Sequence, residues 1–220
     1  MAIYKQGYLG AFSGKLGNVI GTFWKGISVM RVVPANVTNP NTLAQQAQRS
    51  RFKLLMSFLN TNIKFFKVGF AAKDVRMTEI NAAYKENYPG AIIGIYPTLS
   101  IDVKNLVPSL GKLIPLDGLT ATSTVANTID LSWTDNSSVP GAGGNDKINM
   151  AVFDETTGES ITILQGANRL DETAMINLPV SWTGRTVSLY AYLTSEKADT
   201  GVSKPEHVSN SVHISGITVV

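Results

Sequence analysis

From about Leu106 onward the chain is a succession of short β-prone runs cut by turn residues at regular spacing. Such spacing is the mark of a β-sandwich rather than of alternating strands and helices. Seven strands are predicted, over 118–123, 128–134, 147–154, 160–165, 173–178, 186–195 and 209–214. The stretch 135–146, rich in Asn, Ser and Gly, reads as a long flexible loop, and Thr156-Thr157-Gly158 as a hairpin closure.

The first half has a different texture. Glycines at 7, 10, 14, 17, 21 and 26 punctuate it, and 7–13 and 14–20 look like two copies of a seven-residue unit. Two copies are too few for a solenoid. Residues 18–23 and 27–33 are β-branched and aromatic, with Trp24-Lys25-Gly26 as the hairpin corner, which predicts a small β-meander. Pro34 to Asn41 is a loop, and Thr42-Leu43-Ala44-Gln45 has the form of a capping box that opens a helix. Along that helix Phe52, Leu55, Met56 and Leu59 form one apolar stripe, while Arg49 and Lys53 lie four apart on another face. A second apolar burst, 63–70, follows a break at Thr61-Asn62, and a shorter helix is predicted over 77–86. The fold expected is an α+β module (glycine-rich meander plus helices) over residues 1–105, then an all-β immunoglobulin-like sandwich over 106–220.

Charge divides the chain along the same line. The first 73 residues carry seven lysines and three arginines and no carboxylate. Up to residue 105 there are 13 basic and 4 acidic side chains, and beyond it 6 basic and 12 acidic. Net charges of +9 and −6 make the chain a charge dipole. A one-signed block of this length favours a polyanion or an acidic protein surface within about a Debye length, roughly 8 Å at physiological salt. The second half of a neighbouring copy is one such surface. The residues singled out for contact are Lys15, Lys25, Arg31, Arg49, Arg51 and Lys53, interleaved with Tyr8, Phe12, Phe23 and Trp24.

Two resemblances follow from particular residues. Thr128-Ile-Asp-Leu-Ser-Trp133-Thr resembles the second strand of fibronectin type III domains, with Trp133 as the tryptophan buried between sheets. Val187-Ser-Leu-Tyr190-Ala-Tyr192-Leu resembles their sixth strand. The spacing over 160–178 departs from the type III pattern and leaves a more general immunoglobulin-like sandwich open. Lys5-Gln6-Gly7, Phe12-Ser13-Gly14-Lys15, Trp24-Lys25-Gly26, the Asn39–Thr42 entry, Gln45–Arg49, Val68-Gly69-Phe70 and Tyr96-Pro97 resemble an uncharacterised Bacteroidota family of unknown function. Similar N-termini among prophage-borne proteins imply a virion or assembly role.

Chemistry is sparse. Gly10 to Leu16 is one residue short of a phosphate loop and lacks the hydroxyl after its lysine, so it reads as tight turns. His207 and His213 have no metal-pair spacing and read as exposed C-terminal residues. Asp154-Glu155 and Asp171-Glu172 read as solvated turn acids. Asp135, Asn136 and Asp146 lack the spacing of a calcium loop. Without cysteine there is neither a disulfide nor a thiolate site. No cofactor, metal or small-molecule substrate is expected, no membrane span, and no signal peptide; the protein is expected to be made in a cytoplasm and to be able to end in a particle. The expectation is a non-enzymatic structural protein, a phage-particle or other homo-oligomeric component, partnered by its own copies or by other virion subunits. The alternative is a nucleic-acid-binding accessory protein using the same basic face.

Overall fold

The computed structural model describes residues 3–4, 10–36, 39–71, 77–196 and 207–220. Lys5 to Gly7, Tyr8 and the first carboxylate, Asp74, lie outside the described residues. The chain divides into two compact units, Met1–Leu43 and Ala44–Val220.

The first unit is an antiparallel meander: β1 (Ile3–Tyr4), β2 (Phe12–Leu16), β3 (Val19–Trp24) and β4 (Ile27–Val32), side by side in chain order. Lys25 and Gly26 both take positive φ, 44° and 83°, in the turn from β3 to β4. Two consecutive left-handed residues match the twist of the flanking strands, as the sequence predicts.

The second unit begins with helices and ends with two sheets. α1 (Leu43–Thr61) starts one residue after Thr42 and stops at the predicted break; α2 (Ile63–Gly69) and α3 (Glu79–Asn87) follow. Thr78 caps α3 by accepting from the Asn81 amide at 3.3 Å. A short hairpin, β5 (Ile92–Ile95) and β6 (Thr98–Ile101), turns through a cis Tyr96–Pro97 peptide. This hairpin is not among the strands that the sequence predicts.

Seven further strands are β7 (Asp117–Thr122), β8 (Thr128–Thr134), β9 (Lys147–Asp154), β10 (Ser160–Asn168), β11 (Thr173–Asn177), β12 (Thr186–Thr194) and β13 (Val212–Thr218). They form one sheet ordered β11-β8-β7 and another ordered β10-β9-β12-β13. Ile129, Leu131 and Trp133 of β8 and Ile176 of β11 pack between the sheets against Ile148, Met150 and Val152 of β9 and Val187, Leu189, Ala191 and Leu193 of β12. Alternate residues of each strand supply this core, so the sequence folds into a β-sandwich. Trp133 is buried, and its indole N–H donates to the Arg169 carbonyl at 2.8 Å.

The other face of the four-stranded sheet is also covered. Ala151 and Phe153 of β9 and Tyr190 and Tyr192 of β12 pack with Phe65, Ala91, Val103 and Leu106. Tyr192 donates its hydroxyl to the Phe65 carbonyl at 2.7 Å, and the Tyr190 hydroxyl meets the Val103 and Lys104 carbonyls at 2.9 Å and the Leu106 amide at 3.2 Å. Gly69 at the end of α2 lies so close to Pro108 and Ser109 that a Cβ would collide with them. Helices, a four-stranded sheet and a three-stranded sheet therefore form three layers with continuous packing. This corrects the expected division at 105/106: the helices share a core with the sandwich, and the chain divides at 43/44 instead. The meander and the helices accordingly fall in different units and do not make one α+β module.

Candidate interface in the N-terminal meander

Cross-strand register assigns every side chain of the meander to a face. Gly14, Gly21 and Met30 lie in one row, as do Leu16, Val19 and Val32; Phe23 and Ser28 continue that face. Glycine at 21 has a local reason, because the Phe12 carbonyl oxygen and ring crowd the place where its Cβ would stand. The opposite face carries the row Lys15, Ile20, Arg31, then Thr22 beside Val29 and Trp24 beside Ile27. One face thus bears no charge, and the other has two cations about 10 Å apart, two strand spacings, around an apolar centre.

Little of this surface is covered. All six residues of β4 are exposed, Met30 and Val32 at 69% each, and Phe23, Trp24 and Leu16 are at least half exposed. β4 is an edge strand, and no described strand pairs with its outer side. Native edges are commonly blunted by proline, a bulge or several charges. β4 carries a single charge, Arg31, and pairs with β3 without a bulge.

The six basic residues singled out from the sequence are divided between the units. Lys15 and Arg31 share one meander face, and Lys25 stands in the turn beyond it. Arg49, Arg51 and Lys53 belong to α1, where Arg49 and Lys53 are one turn apart and Arg51 is half-buried. Lys53 lines a groove of about 320 Å³ with Ser50, Leu54, Ser57, Pro97 and Leu99, between α1 and the β5–β6 hairpin. Gln46 accepts from the Tyr96 hydroxyl at 3.1 Å and Gln48 from that of Tyr88 at 2.8 Å, so the helix start and the Tyr96-Pro97 turn, both carriers of the resemblance, meet.

Several expectations for polar residues are corrected. Gly14-Lys15 is strand, not a tight turn. His207 is buried, and His213 stacks on Tyr190 with ring centroids 4.3 Å apart. Burial pushes the His213 imidazole below its ordinary value, and its Nε2 has no hydrogen-bond partner among the described residues. Asp154 and Glu155 are working parts of the fold rather than solvated turn acids. Asp154 accepts from the Thr156 amide, Thr157 and Arg185, and Glu155 from Ser188, the Gly216 amide and Lys104. Burial alone would raise both carboxyls, but these bonds outweigh it and hold them below the carboxylate norm.

Sequence reasoning missed Arg169. Its side chain is 0% exposed and donates to the Ile114 carbonyl at 2.8 Å, the Gly143 carbonyl at 3.1 Å, the Pro115 carbonyl, Asn136 and Asp146, the last at 3.0 Å. The loop expected to be flexible is therefore tied down at Asn136, Gly143 and Asp146. The oxygens considered for calcium are occupied: Asn136 and Asp146 by Arg169, and Asp135 by the Ser137 amide and hydroxyl. An arginine in a turn-rich stretch has no periodic pattern to mark it as buried.

A family model described as a family of unknown function, DUF6266, matches residues 11–215. The chain belongs to this family. No curated protein matches it. Among solved structures, DUF6266 as seen here is similar to the fn3 domain of human collagen alpha-1(XX) chain, in solution, at 11% identity and a TM-score of 0.33. The match covers 49% of this chain and 86% of that one.

Proposed function

We propose that this DUF6266 protein is a non-enzymatic assembly subunit, a component of a phage particle or another homo-oligomer, in which the meander makes the contacts between copies. The observation that carries this reading is the sheet of residues 12–32, which leaves large apolar side chains and a whole strand edge in solvent. Exposed apolar surface of this kind is characteristic of interaction sites. The buried and part-buried charged groups of the second unit lend support, since Arg169, Asp146, Asp154 and Glu155 spend their bonding capacity on internal partners. Sedimentation velocity of the full chain over a range of concentrations tests the proposal. The intact chain should sediment as an oligomer, and Trp24→Glu with Met30→Glu, one charge on each face, should reduce it to monomer. An intact chain that stays monomeric at high concentration contradicts it.

A second reading, nucleic-acid binding, is favoured by Lys15, Arg31 and Trp24 sharing one face, where cations could follow phosphates while the indole stacks on a base. Its mark would be tight binding to a random-sequence oligonucleotide with a steep loss on adding salt.

A further inference from the structure

The sandwich has an uncovered surface of the opposite character. On the outward face of the three-stranded sheet, Thr122, Asp130 and Met175 form one cross-strand row, and Thr120, Ser132 and Thr173 the next. Met175 is 61% exposed. Residues 113–146 and 170–184, which supply β7, β8 and β11, contain no lysine or arginine. They do contain Asp117, Asp130, Asp135, Asp146, Asp171 and Glu172, and of these Asp117, Asp171 and Glu172 are exposed while Asp130 is half-exposed at the middle of the face. A chain whose first 73 residues lack any acid therefore also builds a sheet without any base.

We infer that the Lys15–Arg31 face of the meander docks on the outward face of the β11-β8-β7 sheet of a second copy. This rests on the assembly reading above and names the partner surface. The two faces are complementary: Lys15 and Arg31 flank Ile20 on one, with Val29 and Trp24 beyond it, and on the other Asp130 stands at the middle beside the exposed Met175, with no cation in β7, β8 or β11. Opposite potentials steer such faces together and fix their register, while apolar contact holds them. The basic α1 residues are not required. Because the two surfaces differ, the contact is heterologous: each copy offers one of each, and the chain of contacts closes into a ring or continues as a filament.

Charge reversal in the full-length protein tests this. Lys15→Glu/Arg31→Glu reverses the meander, and Asp130→Lys/Glu172→Lys reverses the sheet. Each pair alone should weaken self-association by about tenfold or more, since like charges then face each other. Mixing the two variants, or combining all four substitutions in one chain, should restore association to within about threefold of the unaltered protein. Near-UV dichroism checks that Trp133 and Trp182 keep their environments. Where Asp130→Lys disturbs them, Asp130→Asn/Glu172→Gln takes its place and should give a smaller loss in the same direction. If the unaltered chain associates and the meander reversal weakens it while the sheet reversal changes nothing, this docking is overturned and the assembly proposal stands. If the unaltered chain is monomeric, both fall.

Discussion

Strand β12 of the sandwich and strand β4 of the meander are built from similar residue types, yet eight of nine residues of the first are buried and all six of the second are exposed. The difference lies in what the rest of the chain brings to each. β12 has a sheet packed on one face and helices on the other, so Leu189 and Tyr190 find covered ground on opposite sides. Among the described strands β4 has a single neighbour, β3, in a sheet whose glycines at 14 and 21 supply no side chains to pack. A two-sided core stabilises its strands without help, whereas among the described residues a sheet this thin leaves most of its large apolar side chains in solvent.

If that comparison holds, substitutions in the two regions should differ sharply in cost. The largest effect is expected at Arg169, the knot of the sandwich loops. Arg169→Ala leaves Asp146 buried without its counter-charge and several carbonyls unsatisfied, and should cost about 3–5 kcal/mol in urea unfolding. A cost of a few tenths would mean that the loop is held by something else.

Tyr190→Phe comes next. It removes the hydroxyl that binds the 103–106 segment to the sheet while keeping the ring, and should cost about 1–3 kcal/mol because buried backbone groups lose a partner. The transition should stay single and cooperative, since helices and sandwich share a core. A separate early transition of the helices would restore the division at 105/106.

A smaller effect comes from acid. The folded protein holds His213 below its ordinary 6.5 through burial, with Glu155 and Asp102 opposing and Lys104 reinforcing. The unfolded chain then binds more protons than the folded one, so stability should fall as pH drops below about 6.5. His213→Phe keeps a ring against Tyr190 and should flatten this slope between pH 7 and 5; an unchanged slope would place the titration elsewhere.

The smallest effect is expected in the meander. Val29→Thr, at a position 44% exposed, should change unfolding stability by less than about 0.5 kcal/mol under dilute conditions. The same change at Val187, which is 0% exposed, puts a hydroxyl into the sandwich core and should cost more than about 1 kcal/mol.

The local plan of both regions was legible in the sequence. The bounds of β8 and β9 coincide with the predicted runs, the break at Thr61-Asn62 separates α1 from α2, and Lys25-Gly26 turns the meander. These features rest on propensity and turn chemistry over a few residues. Packing between layers was not read. Tyr190 and Tyr192 alternate with Leu189, Ala191 and Leu193, so the strand is apolar on both faces, which marks a sheet covered twice. The β5–β6 hairpin escaped because its two runs are four residues each, with Gly94 inside the first and Pro97 between them. Arg169 and the acids at 154 and 155 escaped because their roles depend on partners distant in the chain. For the candidate interface, the basic residues were legible as a set, but their partition between meander and helix was not.

The central claim is that the meander finds its packing partner in another copy, and hydrogen exchange measured against protein concentration tests it most directly. Amides of residues 27–32 should gain protection as concentration rises through the association range, while those of β9 and β12 stay constant. Protection of 27–32 that is already high in the dilute monomer, and does not change with concentration, would contradict the account.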